Sequence, residues 1–142
     1  LHDALPIYKK VELLWHGSDT CNWWNILQQG LKLRPSTSTF HGKMFGDGLY
    51  FAPRAKKSIG YTSVQGSYWQ NGSDNSGFIA LFSVAVGSSL YTDRAYSSMN
   101  RTKIVSKGYD SLWAKAGANL RNDEVIVYAE NQATISYLVE VA

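Results

Sequence analysis

The sequence predicts an α+β fold of many short strands and few short helices. β-rich runs recur along the chain, at Val11–His16, Leu49–Ala52, Phe78–Val86, Ser111–Ala114, Glu124–Ala129 and Thr134–Val141. Only Asn22–Gln29 and Ala55–Tyr61 read as helices. The segments between are rich in Gly, Ser and Asn and show no regular strand–helix alternation, which argues against a parallel βαβ sheet.

Val11-Glu12-Leu13-Leu14-Trp15-His16 reads as a strand stopping at Gly17, with Ser18, Asp19 and Thr20 as candidate caps for the next helix. Asn22–Gln29 places Trp23, Ile26 and Leu27 at helical spacing and ends at Gly30, a residue suited to the position past a helix C-terminus. Arg34–His41 is polar and carries Pro35, which predicts a loop able to flank a pocket. Gly46 and Gly48 predict a positive φ or a close backbone approach just before the short strand around Tyr50. A tyrosine ring placed there can wall a cleft for a flat ligand. Pro53 suits the first turn of a helix over Ala55–Tyr61.

Gly66–Gly77, with Tyr68 and Trp69 embedded in it, reads as a long surface loop. Phe78–Val86 is apolar on nearly both parities and predicts a central strand covered on both faces. Leu90-Tyr91 and Ser111–Ala114 read as short strands, Asp93–Lys107 as irregular, and Gly117–Asn122 as a turn. Glu124–Ala129 and Thr134–Val141 are the last strands, the latter alternating Ile135, Tyr137, Val139 and Val141. No internal repeat or second domain breaks the pattern.

With 142 residues, 44% of them hydrophobic and 18% charged, the chain is long enough for one domain with a sizeable core. A net charge of +3 with no clustered Lys/Arg run gives no indication of DNA binding by this domain. The single cysteine, Cys21, excludes an internal disulfide and suits a reducing, intracellular compartment. No apolar run approaches the ~20 residues of a membrane-spanning helix. The sequence holds no metal-ligand spacing, no Gly-x-Ser-x-Gly elbow and no Gly-x-Gly-x-x-Gly opening a helix, which sets aside metal sites, α/β-hydrolase chemistry and Rossmann-type hydride transfer. Leu1–Ile7 has neither the basic start nor the apolar centre of a signal peptide. It resembles a translated sequencing adapter and is read as a non-native leader, with residues 8–142 as a single domain.

Three motifs, taken in order, carry a functional reading. They are Trp15-His16-Gly17-Ser18, then Gly42-Lys43-Met44-Phe45-Gly46-Asp47-Gly48-Leu49-Tyr50-Phe51-Ala52 with Lys57-Ser58-Ile59-Gly60-Tyr61, and last Asn122-Asp123-Glu124-Val125-Ile126-Val127-Tyr128. Together they resemble the catalytic domain of poly(ADP-ribose) polymerases over about Val11–Val141. That family marks its site with a His-Tyr-Glu set, and His16, Tyr50 and Glu124 fall on those positions.

The resemblance implies an ADP-ribosyltransferase-like fold, with two strand-rich sheets facing an NAD⁺ cleft. It implies NAD⁺ as substrate, no metal, and a protein or nucleic-acid acceptor. Breaking the N-glycosidic bond releases neutral nicotinamide through an oxocarbenium-like state. That state calls for a carboxylate near the developing charge in a dry pocket. By resemblance Glu124 is that carboxylate, bonding the nicotinamide-ribose 2′-hydroxyl and orienting the acceptor. His16 would hold a ribose hydroxyl, and the Gly17 backbone and Ser58 hydroxyl would hold the carboxamide. Tyr50 and Tyr61 would stack on either side of the nicotinamide ring. Ser18 and Asn22 resemble adenosine-ribose contacts, and Met44 a residue of the acceptor-chain site. His2 and His41 acquire no role. The glutamate in third place fits poly or oligo products, with mono-ADP-ribosylation or an inactive NAD- or ADP-ribose-binding module as alternatives. The intact set of three speaks against the inactive module.

Overall fold

Seven strands assemble into two sheets in a computed structural model that describes residues 10–33, 44–117 and 120–142. The expectations for Leu1–Ile7, His2, Arg34–His41 and His41 fall outside those residues, as do two positions of the Gly117–Asn122 turn. In order, the elements are β1 (Val11–Ser18), α1 (Trp23–Gln29), β2 (Leu49–Phe51), α2 (Ala55–Ile59), β3 (Gly77–Ala85), β4 (Ser89–Thr92), α3 (Arg101–Ser106), β5 (Ser111–Ala114), β6 (Glu124–Val127) and β7 (Ala133–Val141), with short 3₁₀ turns before α1 and before β7. The fold is α+β as predicted.

The first sheet is antiparallel in the order β1-β3-β7, and the second runs β2-β6-β5-β4 with only β4 and β5 parallel. The two meet where Trp15 and Ala52 exchange a pair of backbone hydrogen bonds, each 2.8 Å. Leu14, Phe82 and Val84 from one sheet pack on Leu49, Phe51, Val125 and Val127 from the other, and Trp23 and Ile26 of α1 close this core. A second cluster, built on Phe45, Met99, Ile104, Leu112, Ile126 and Tyr128, covers the opposite face of the second sheet.

That arrangement assigns the doubly covered strand to β6, where all four residues are buried because Val125 and Val127 face one cluster and Ile126 the other. β3 is central but only partly covered on its outer parity. Ala80, Phe82 and Val84 are fully buried, whereas Leu81 and Ser83 are half-exposed.

Other expectations need correction. Of the candidate caps, Asp19 makes no side-chain cap bond, because it accepts from the Ser63 hydroxyl, and Ser18 accepts from the side chain of Asn22, the residue that precedes α1. α2 ends at Ile59, two residues before Tyr61. The segment read as irregular contains α3, started by the Asn100 side chain, which accepts the Lys103 N–H at 2.9 Å. α3 buries only Ile104 and so leaves no apolar stripe to read. In β7, the register shifts so that Ser136 is an extra residue. Ile135 then pairs with inward-facing Phe82, while Tyr137 pairs with Leu81 on the outer face and is 63% exposed.

Candidate active site

The line along which the two sheets meet gathers most of the predicted site residues. His16 stands on β1 opposite Ala80, on the same parity as core residue Leu14. Its ring packs against Trp23, Phe51 and Phe82 at centroid distances of 6.4, 5.8 and 6.0 Å. Nδ1 lies 2.8 Å from the Tyr50 carbonyl, and since a carbonyl only accepts, Nδ1 carries the proton in this bond. The first two members of the set are therefore joined directly, across the sheet junction.

Gly17 has the opposite parity and lies under α2. A Cβ built there would collide with the Ser58 carbonyl, so this glycine is dictated by the close approach of α2 to β1. The same carbonyl accepts the Tyr61 N–H at 3.1 Å, which anchors the turn after α2. Ser58 is buried at 3% exposure, beside Gly17. Ser18 at the end of β1 and Asn22 in the 3₁₀ turn that follows pair with each other through a 2.9 Å bond at the surface.

Tyr50 is fastened at both ends. Its backbone holds His16, and its hydroxyl donates to the Gly46 carbonyl at 2.8 Å while accepting the Phe45 N–H at 3.0 Å. Gly46 takes φ +79°, and a Cβ there would run into the Met99 carbonyl. The Gly-x-Gly turn thus folds back to receive the phenol. Tyr128 ties the same loop by donating to the Phe45 carbonyl at 2.6 Å. Met44 is half-buried and packs with Tyr50 against the second cluster.

Glu124 opens β6 and is 8% exposed. Its carboxylate meets Lys57 Nζ at 2.9 Å, and both side chains are 11% exposed. Its charge is felt by both tyrosines. Burial pushes the Tyr50 phenol well above its usual range, the Phe45 N–H pulls it partly back, and Glu124 raises it further. Burial also pushes Tyr61 up to about 12, again with help from Glu124. A groove of about 280 Å³ opens beside the ion pair, lined by Arg54, Lys57, Arg121, Asn122 and Asp123 among others.

Two residues near this site received no role from sequence reasoning. Lys57 read as one of two adjacent lysines on a short helix, the usual pattern of a solvated face, and only its place directly before Ser58 hinted otherwise. Trp69 stood in a polar loop, yet its ring stacks on Tyr61 at 5.7 Å and 16°. Among the described residues, no group of His, Cys, Asp and Glu could hold a metal ion, and no helix is long and apolar enough to cross a membrane.

Comparison with known proteins identifies the family of the chain. The family model described as "Poly(ADP-ribose) polymerase catalytic domain" matches residues 3–118, a span that contains His16, Tyr50, Ser58 and Tyr61 and stops short of Glu124. The chain is similar to the poly [ADP-ribose] polymerase-like protein 100L of Invertebrate iridescent virus 6, with 36% identity over 141 residues, 95% of this chain and 73% of the relative. It is 38% identical over 99 residues to poly [ADP-ribose] polymerase 2 of Arabidopsis thaliana, and 29% identical over 157 residues to poly [ADP-ribose] polymerase 2 of Homo sapiens. Those two alignments cover 68% and 91% of this chain but 15% and 26% of the longer relatives. The chain belongs to the family of poly(ADP-ribose) polymerase catalytic domains.

Proposed function

We propose that this domain is an NAD⁺-dependent ADP-ribosyltransferase that releases nicotinamide and attaches ADP-ribose to a macromolecular acceptor, a protein or a nucleic acid. The observation that carries this reading is Glu124, a buried carboxylate balanced by Lys57 at 2.9 Å, whose charge reaches both Tyr50 and Tyr61. Family membership supplies the substrate, NAD⁺. The carboxamide would bond to the Gly17 backbone and the Ser58 hydroxyl, with the ring against Tyr61 and Tyr50. His16 would hold a ribose hydroxyl, its ring fixed by the bond to the Tyr50 carbonyl. Ser18 and Asn22 would meet the adenosine ribose.

In this account the C1′–N bond breaks with its electron pair leaving on nicotinamide, and the ribose carbon becomes oxocarbenium-like. Glu124 accepts a hydrogen bond from the 2′-hydroxyl and faces the developing positive charge with a negative one. An acceptor hydroxyl then attacks C1′ and passes its proton to Glu124, and from there to solvent, as the new bond forms. Poly or oligo products are the favoured outcome. We read the groove beside the Lys57–Glu124 pair, whose lining includes Arg54 and Arg121 as well as Asp123, as the place for the phosphates of an acceptor ADP-ribose chain, with Met44, packed beside Tyr50, as a further residue of that site. Incubation with labelled NAD⁺ and a denaturing gel tests the reading. A ladder is expected, a single labelled band would restrict the product to mono-ADP-ribose, and no label would reduce the domain to a binding module.

A further inference from the structure

We infer that Trp69 is a positioning residue for the carboxamide pocket: its indole backs the Tyr61 ring and presents the opposite ring face to the ligand. The inference rests on the reading above, in which Tyr61 lines the nicotinamide site. Tyr61 stands in the turn after α2, and its ring stacks on Trp69 with centroids 5.7 Å apart and planes 16° apart. Trp69 is itself steadied by Tyr68, set edge-on at 4.5 Å and 85°. The Trp69 backbone N–H donates to the Gly60 carbonyl at 2.9 Å, which brings the loop back onto the end of α2.

The loop that delivers Trp69 is firmly closed. Gln65 N–H donates to the Asp74 carbonyl at 2.8 Å, Asp74 N–H to the Ser63 carbonyl at 2.9 Å, and Gly72 N–H to the Ser67 hydroxyl at 2.8 Å. Gly66 and Asn71 take φ of +84° and +50°, the tight backbone such a closure needs. Yet Trp69 remains 55% exposed. An indole kept half in water is not there to fill a core, and besides Tyr68 it meets Tyr61 and Gly60. A ring already held on one face loses little rotamer freedom when a ligand stacks on the other, so the ligand gains affinity without touching Trp69.

Gly60 supplies a second handle on the same contact. Its φ of −61° and ψ of −16° are helical and open to any residue, so alanine there is compatible with the backbone. A Cβ would nevertheless come within 2.9 Å of the Trp69 indole Cδ1 and push the ring away.

Benzamide titrated calorimetrically against the folded domain, with NAD⁺ kinetics alongside, tests the inference. Trp69→Ala should weaken benzamide and raise KM for NAD⁺ about two- to tenfold, the range of one stacked aromatic contact, with kcat within about twofold. Trp69→Phe should restore most of the affinity. Gly60→Ala should give a similar loss in the wild-type background and no further loss beside Trp69→Ala, since both remove one contact. Additive losses, or tighter benzamide binding in Trp69→Ala, would overturn the inference; the second result would mean that the indole covers the pocket. Tyr61→Ala separates the two levels. If it weakens benzamide while Trp69→Ala does not, the backing role fails and the pocket stands. If Tyr61→Ala has no effect, the pocket reading fails and the backing role with it.

Discussion

Replacing Lys57 by methionine would leave Glu124 buried without its cation. The two charges lie 2.9 Å apart, which at an effective dielectric of about 20 is a gross attraction of roughly 6 kcal/mol. Most of that offsets the desolvation of two side chains that are each 11% exposed, so the intact pair adds little net stability. Half a pair is another matter, because removing one partner of a buried ion pair costs about 3–5 kcal/mol. Methionine keeps the length and the apolar stem of lysine, so little packing is lost. With a tenth of each side chain still open to water, the lower end applies, about 3 kcal/mol for Lys57→Met. The double variant Lys57→Met/Glu124→Gln, with no charge left to strand, should recover most of this. Urea denaturation at neutral pH, followed by tryptophan fluorescence over the four-member cycle, measures both quantities. A cost below about 1 kcal/mol with no coupling is the behaviour of an exposed pair and would refute the reasoning.

Gly17→Ala should lower stability by about 1–3 kcal/mol and abolish benzamide binding, because the new methyl displaces the Ser58 carbonyl and α2 with it; calorimetry and thermal unfolding check both. Ser58→Ala should weaken benzamide by roughly 1 kcal/mol, one lost hydrogen bond to the carboxamide, in the same titration. Asp123 links stability to pH. Burial would raise its carboxyl, but donors from Trp113, Ala116 and Lys115 outweigh that and hold it below the ordinary value. A depressed folded value means the contribution is complete above the unfolded pKa of about 3.9 and is lost as pH falls through the folded one. Urea denaturation at pH 7 and at pH 3 should therefore show a smaller acid loss in Asp123→Asn than in the wild type, and equal losses would contradict the argument.

The parts of the fold that were legible in the sequence are those where local chemistry and tertiary context agree. Gly30 ends α1 with φ +76°, and the apolar run at Phe78 is the central strand of its sheet. The Gly-x-Gly before Tyr50 predicts a positive φ or a close approach, and Gly46 shows both. What escaped was decided by partners distant in sequence. Nothing in Ser136 announces the bulge that turns Tyr137 outward, since the register is set by β3. Lys57 sits among residues of a solvated helix and is drawn inward by a carboxylate on β6, far along the chain. Trp69 looked like an ornament of a polar loop because the ring it stacks on belongs to the turn after α2. The candidate site was legible as a set of motifs. Its internal ties, His16 to the Tyr50 carbonyl and Gly17 against Ser58, came only with the fold.

Glu124→Gln tests the central claim most directly, because it keeps the shape of the side chain and removes only the charge. NAD⁺ affinity and the rate of nicotinamide release are measured on the same preparation. If the carboxylate faces the oxocarbenium, the Kd for NAD⁺ stays within a few-fold while turnover falls by about 10²–10³, the usual loss for one preorganised electrostatic group. On the same account chain elongation should fall further than NAD⁺ hydrolysis, since that carboxylate would also orient the acceptor hydroxyl. Unchanged turnover in Glu124→Gln would contradict the account and take the catalytic role away from this carboxylate.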